Sequence, residues 1–528
     1  MTLSTLDWIV IIAYAGVLVI TGVIFNRRGA SDTGDYFLGG RRMPVWAVAI
    51  SVVATALSAA TFVGGPQQAF AGNLTYLASN IGMILAAVLV AWLVIPAFYR
   101  AEVATPYGLL ESRMGRGARR GAATAFLLGR VMASGARIYI IGIPAALIFF
   151  GEPAASEAIP PWQIIAAIGA MTVVGIAYTL AGGVKSVIWT DVIQMGVFVV
   201  AIGASIWLLL DRIPGGAGAA YDALATAQAP DGTSKLTLFD TSLNFTSNYT
   251  LLACCVGFVL MGVASYGLDQ DMVQRMLTCR SSRRGAASVI LANLASVPIV
   301  AMFMTVGLLL FVFYERPDVM GDRAPAAAID DSRQVFLRFI LNELPGGLSG
   351  LMFAGLFAAG LSSLNSGLNS MSSTVVNDFY RDLVPGRDEA HYLRVGRVGV
   401  VAWGIILGGF AVVCVWWQRA GEQTLIDFAL GVMTFAYAGL LGVFATAVLT
   451  KRGSERSAIA ALIGGFLVIL ALNRPALGLV LDVDAIAEQS AWVDSAWKLA
   501  FPWKLAIGAS LATIICLIGN RPPEADPC

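Results

Sequence analysis

Thirteen stretches of this chain are long and apolar enough to cross a bilayer as helices, and this limits the fold more than any motif does. They run over residues 6–26, 43–68, 76–99, 123–150, 162–181, 187–210, 247–275, 286–314, 345–378, 393–416, 424–449, 456–472 and 500–519. A hydrocarbon core about 30 Å thick takes about 20 residues of helix. Inside it every backbone N–H and C=O must find a partner within the protein, which helices provide locally. The expected fold is therefore an all-α polytopic membrane protein of about 13 transmembrane helices. Only 13% of the 528 residues are charged, against 58% hydrophobic, where a water-soluble chain carries about 25% charged residues. The lipid bilayer is the expected solvent. The first run, Leu6 to Phe25, carries no small-residue cleavage site and is expected to be retained as a span.

Charge sets the expected orientation and removes several functional classes. A net charge of +1 gives no field that would attract nucleic acid. The six cysteines lack the CxxC and Cys/His spacings of metal sites, and the one histidine, His391, lies in a polar loop. Basic connections (Arg27, Arg28, Arg41, Arg42; Arg113, Arg116, Arg119, Arg120; Arg280, Arg283, Arg284; Lys451, Arg452) alternate with acidic or neutral ones such as 151–161 and 315–334. The positive-inside rule then predicts a cell inner membrane protein with a periplasmic N-terminus and a cytoplasmic C-terminus. No nucleotide loop, metal cluster or catalytic triad is visible, so no enzyme is expected.

Two of the runs carry the residues of a broken helix. Residues 43–68 include Ser51, Thr55, Ser58, Thr61, Gly64, Gly65 and Pro66; residues 247–275 include Gly257, Gly262, Ser265, Gly267, Asp269 and Asp271. They stand five spans apart and so run in opposite directions. Interrupted helices at matching places in two halves point to a transporter's binding site; singly, such glycines serve equally for close helix packing. The run at 345–378 carries Ser362, Ser363, Asn365, Ser366, Asn369 and Ser370, with Ser362 and Ser366 on one face. Neutral oxygens so arranged suit a hard monovalent cation, or hydrogen bonds between helices. Arg137 lies fourteen residues past the start of its run near 123, about 21 Å at 1.5 Å per residue and close to mid-bilayer. A guanidinium there needs an anion, and its fork fits a carboxylate. Its partner is a substrate's carboxylate, a structural carboxylate, with Asp269 within conceivable reach, or the carbonyls of a broken helix. Asp269 and Arg275 are expected as gate or structural groups at the cytoplasmic end of the 247–275 run, and Arg130, on the face of Arg137, as a waypoint for a departing anion.

The segments FAAGLSSLNSGLNSMSSTVVNDFY (357–380), AGGVKSVIWTDVIQ (181–194), LDQDMVQRML (268–277) and TALSAATFVGGP (55–66) resemble those of the sodium/solute symporter family, in that family's order. The resemblance implies a five-plus-five inverted repeat with broken first and sixth core helices. It divides the chain into an extra helix and loop (1–42), a first repeat (43–210), an extracellular loop (211–246), a second repeat (247–450), and two further helices with a short tail (451–528). It implies sodium (Na+) bound by carbonyls of Ala54, Leu57 and Ala359 and hydroxyls of Ser362 and Ser363. A possible second sodium falls to Asp191 with Asn365 and Ser366 beside Ser362, or else Asp191 is a solvated carboxylate at a helix end. Positions that are polar in sugar-carrying members fall here on Ala60, Gly262, Leu294 and Leu430, which disfavours a neutral sugar. Ser58, Thr61, Asn80 and Tyr266 remain polar beside Arg137 and complete the expected substrate pocket; sialic-acid-carrying members hold a carboxylate by an arginine of this helix, with hydroxyls and an amide similar to Ser58, Thr61 and Asn80. The GGP stretch is similar to members carrying pantothenate or monocarboxylates.

The expected activity is sodium-coupled import of a small organic anion, a sugar acid or monocarboxylate, by alternating access. Its partners are substrate, sodium and lipid, and a monomer suffices. A sodium-coupled carrier of a neutral sugar, polyol or amino acid is the first alternative and a proton-coupled carrier the second. The latter lacks an intramembrane His or a deep Glu to relay protons.

Overall fold

The computed structural model describes residues 3–26, 33–151, 159–180, 184–325, 329, 331–419, 424–478, 483 and 491–520. Each of the thirteen apolar runs falls on helix. In chain order these are α1 (Thr5–Asn26), α2 (Val45–Ala56), α3 (Ala59–Ala71), α4 (Thr75–Arg100), α5 (Arg116–Phe150), α6 (Pro161–Leu180), α7 (Val184–Arg212), α8 (Leu251–Leu268), α9 (Gln270–Leu277), α10 (Ser282–Glu315), α11 (Leu348–Leu383), α12 (Glu389–Arg419), α13 (Leu425–Leu449), α14 (Glu455–Ala471) and α15 (Phe501–Leu517). Among the described residues there is no strand beyond isolated bridges. Eight of these helices are long and apolar enough to cross a membrane, nine if α2 and α3 count as one bent span, and three more are apolar but shorter. For α14 and α15 the shortfall is one of length. At about 1.5 Å per residue a 17-residue helix such as α14 or α15 reaches about 26 Å, just short of the core.

The first expected break lies between α2 and α3, whose axes bend by 61°. Leu57 leaves helical geometry at φ −82°, ψ 79°, and Ser58 at ψ 179° restarts the helix, its Oγ accepting from the N–H of Ala60 at 3.3 Å. Serine is a favoured N-cap because its short side chain satisfies such an orphan donor. The second break has a different form. α8 ends in a π turn, Ala264–Leu268, and Asp269 at ψ 117° caps α9 by accepting from the N–H of Asp271 at 3.0 Å.

Helix packing repeats when each span is exchanged for the one five places on. α4 packs on α8 as α10 packs on α2 and α3; α5 packs on α13 as α11 packs on α7; α5 packs on α6 and α12 as α11 packs on α12 and α6. α14 and α15 lie outside this pattern, against α13 and each other. Close approaches depend on glycine. A Cβ on Gly82 of α4 would stand 2.1 Å from the Cys254 carbonyl oxygen of α8. Outside the spans, Lys235 is buried. It donates to the Phe70 carbonyl at 2.6 Å and sits 4.1 Å over the Phe311 ring, tying the 211–246 segment to the end of α3.

Gly82→Ala should therefore force α4 and α8 apart and lower the melting temperature, by the equivalent of about 1–3 kcal/mol for overpacking. Gly16→Ala, where a Cβ meets nothing within 4 Å, should leave it unchanged or slightly higher. Equal melting curves for the two variants would contradict this packing.

Candidate substrate and ion site

The break at Leu57–Ser58 alters the backbone's hydrogen bonding. The N–H of Ser58 turns to the Ala56 carbonyl at 3.1 Å, and that of Thr61 to the Ser58 carbonyl at 2.9 Å. An unbroken helix would have aimed those two N–H groups at the carbonyls of Ala54 and Leu57. Both carbonyls are thereby released, and a buried acceptor without a donor is costly unless a cation or water meets it. α11, which packs against both halves of the broken helix, presents the serine face. Ser363 is 2% exposed and its hydroxyl has no partner among the described residues. Ser362 gives its proton to an Asp191 oxygen, which leaves its lone pairs free to accept. Two released carbonyls and two hydroxyls with spare lone pairs form an oxygen set suited to a hard monovalent cation.

The residues of the second expected set have other partners. Asp191 is fully buried, so the reading of a solvated helix-end carboxylate is corrected: a position near the start of α7 does not reveal that α2, α10 and α11 pack over it. Its oxygens accept from Ser51, Ser362 and, at 3.3 Å, Arg275. Ser366 accepts from Arg275, and the Asn365 Oδ1 accepts from Thr179 at 2.7 Å. A guanidinium therefore sits beside the carboxylate expected to hold the second ion.

Arg275 belongs to a buried ionic network. It also pairs with Asp271 at 2.9 Å and donates to Ser51 at 2.9 Å. Arg130 pairs with Asp271 and, at 3.3 Å, with Asp269, which further accepts from Tyr437 at 2.7 Å. All five charged side chains are at most 4% exposed. Two arginines against three aspartates leave one formal negative charge. The expected gate pair, Asp269 and Arg275, and the expected waypoint, Arg130, thus form a closed network reaching from α5 through α9 to α7.

A cavity of about 100 Å³ lies beside the break. Ser58, Thr61, Asn80, Arg137 and Tyr266 all line it, so the structure brings together the five residues expected of the pocket. Arg137 is 7% exposed, and among the described residues its one hydrogen-bond contact is from Nη2 to the Met433 sulfur at 3.8 Å. Nη1 has no partner, and among the described residues no carboxylate lies within 4 Å of the guanidinium. Asp269, the conceivable structural partner, is taken by Arg130 and Tyr437. The Asn80 side chain is fixed by donating to the Leu77 carbonyl at 3.1 Å and accepting from Ser296 at 3.4 Å.

The sequence missed Asn293 and Ser296, which also line this cavity. Their signal was present as two polar residues inside an apolar run. The neighbouring position matched to sugar-carrying members, Leu294, is 51% exposed and faces away. One residue is about 100° of helix rotation, enough to exchange cavity for lipid. Gly262 packs against Ala86 and Met83 and does not line the cavity. Ala60 and Leu430 do line it, and both are apolar.

Broken helices around a polar midpoint, with ionic groups buried in an apolar bundle, define a membrane transporter. The family model for the Sodium:solute symporter family matches residues 36–465, and the chain belongs to that family; it is a transporter and not an enzyme. It is 27% identical over 515 residues to the sodium/sialic acid symporter NanT of Aliivibrio fischeri, covering 97% of this chain and 92% of the relative. It is 28% identical over 473 residues to the sodium/sialic acid symporter SiaT of Proteus mirabilis, covering 88% and 89%. In fold it is similar to a substrate-bound, outward-open Na+-coupled sialic acid symporter, with a TM-score of 0.79 at 24% identity, covering 98% of this chain and 97% of the other. The fold likeness extends to the nucleobase-cation-symport-1 transporter Mhp1 in a closed conformation, with a TM-score of 0.52 at 12% identity, covering 93% and 94%.

Arg275→Met should leave Asp191 and Asp271 under-compensated and destabilise the protein by about 3–5 kcal/mol, the cost of breaking a buried pair. Adding Asp191→Asn should recover part of that loss, because the two effects share a partner. Simple additivity in thermal unfolding of the single and double variants would refute a shared network.

Proposed function

We propose that the protein imports a small organic anion, a sugar acid or monocarboxylate, together with sodium. The observation that carries this reading is the buried Arg137 guanidinium, aimed into the cavity without a carboxylate of its own. A charge at that depth costs about 2.5–3.5 kcal/mol even on the lenient insertion scale. A substrate carboxylate would neutralise it through two charge-assisted bonds. Ser58, Thr61, Asn80 and Tyr266 supply neutral polar contacts for the rest of the molecule, and the substrate named for the two bacterial relatives is a sugar acid. Ala60 and Leu430 in the wall argue against the neutral-sugar alternative.

Sodium, in this reading, binds the carbonyls of Ala54, Leu57 and Ala359 and the hydroxyls of Ser362 and Ser363. Its charge balances the excess negative charge of the network that Ser362 touches through Asp191. Arg275 takes the place of a second ion beside Asp191, Asn365 and Ser366, so one sodium accompanies each anion. The assigned location is the inner membrane, with a periplasmic N-terminus and a cytoplasmic C-terminus. Residues 43–210 and 247–450 form the two repeats, 1–42, 211–246 and 451–528 are additions to them, and a monomer suffices.

Two experiments test this reading. In proteoliposomes with an inward sodium gradient at fixed pH, replacing Ser362 and Ser363 by Ala should raise the sodium concentration for half-maximal uptake at least tenfold. An unchanged sodium dependence would remove the ion site. At saturating sodium, Arg137→Lys should weaken carboxylate binding and Arg137→Ala nearly abolish it, while the corresponding amide binds poorly to wild type. Wild-type carboxylate affinity in a folded Arg137→Ala protein would make Arg137 structural.

A further inference from the structure

A second polar cavity lies on the opposite side of α13 from the substrate cavity. Ile426, Ala429, Leu430 and Met433 face the substrate side, whereas Asp427, Phe428, Gly431, Val432 and Thr434 face the other. That second space is about 220 Å³ and is closed by the end of α12 and by the start of α15 with the segment before it. Three features mark it as more than a packing defect.

Lys504 lines it and is 9% exposed. Its ammonium donates to one acceptor, the Trp497 carbonyl at 2.9 Å, and among the described residues no carboxylate stands within 4 Å of it. An ammonium has three protons to place, so two remain available. Gln418, 3% exposed, accepts from Tyr139 at 2.9 Å through Oε1, while its Nε2 has no partner. The walls are aromatic: Trp417 and Phe428 stand edge to face at 5.8 Å, and Trp497 and Phe501 complete them. The acidic side chain on this wall, Asp427, is engaged by the Tyr249 hydroxyl. Gly431 shows the room available, since a Cβ added there meets nothing within 4 Å.

We propose that this cavity is an accessory binding site for a small carboxylate with a flat apolar body. The carboxylate meets Lys504 and Gln418, and the body lies among Trp417, Phe428 and Trp497. A buried cation with protons to spare and an unfilled amide N–H2 define the anionic end, because each is stabilised by a further acceptor that the described residues do not supply. The aromatic walls define the other end. A ligand here braces α13 against α15, and α13 carries Leu430 and Met433 of the substrate cavity on its other face, so occupancy regulates transport from behind.

The test uses the full chain in nanodiscs, with benzoate as probe and benzamide as its uncharged counterpart, followed by titration calorimetry in the Arg137→Ala background. Benzoate should bind there, benzamide should not, and Lys504→Gln should weaken benzoate at least tenfold. Gly431→Leu keeps the lysine and fills the void, so it should also abolish binding. If Lys504→Gln or Arg137→Ala does not fold, Gly431→Leu in the wild-type chain decides, by removing one class of benzoate site. Absence of benzoate binding in folded Arg137→Ala, equal binding of benzamide, or undiminished binding in Gly431→Leu each overturns the proposal.

Discussion

A bilayer does not tolerate an unpaired charge, and the interior of this protein is arranged around that constraint. Five titratable side chains from α5, α7 and α9 form one network, Arg130, Arg275, Asp191, Asp269 and Asp271, with a formal excess of one negative charge. Arg137, one helical repeat beyond Arg130 on α5, carries one positive charge and faces a cavity. The two imbalances cancel only at a distance, where the low dielectric makes each costly by itself. A monovalent cation at the network and a monovalent anion at Arg137 relieve both locally. Coupling then needs no contact between the two solutes, because each completes a charge distribution whose other half is already built in.

Backbone geometry makes the same point with partial charges. The turn at Leu57–Ser58 releases the carbonyls of Ala54 and Leu57, and Ser363 holds an unpartnered hydroxyl on the helix packed against them. Asp191 accepts the Ser362 proton and thereby leaves that oxygen's lone pairs free. The carboxylate thus touches the candidate ion site through a hydroxyl, while Arg275 occupies its other side. The half of the broken span that bears Arg275 also bears Asp271, the partner of Arg130. Any rotation of α9 must therefore loosen the Asp191 contact and the Arg130 contact together. The candidate ion site and the Arg130 contact therefore share their supports.

Much of this was legible in the sequence, and the parts that were not share a cause. Thirteen apolar runs, two broken spans, the serine face of α11 and the lone depth of Arg137 are local properties, set by composition and by helical spacing. All five expected pocket residues meet around one cavity because each was chosen for a polar atom in an apolar run, which the bilayer permits only in a protein interior or cavity. The burial of Asp191 was not legible, since distance from a helix end says nothing about what packs over it. Nor were the pairings of Arg130, which join residues 139 positions apart or more. The difference between Asn293 and Leu294 is one of helix rotation, which a single sequence specifies poorly on a helix exposed to lipid on one face and to a cavity on the other.

The central claim is that one sodium ion and one monovalent carboxylate complete the two built-in imbalances. Charge movement tests it most directly. In proteoliposomes clamped at a fixed potential, the radiolabelled uptake of a monovalent carboxylate and the current can be recorded together under a sodium gradient. The account predicts uptake without net current. A steady inward current of one positive charge per carboxylate would mean that a second sodium displaces Arg275 from Asp191, and would contradict it.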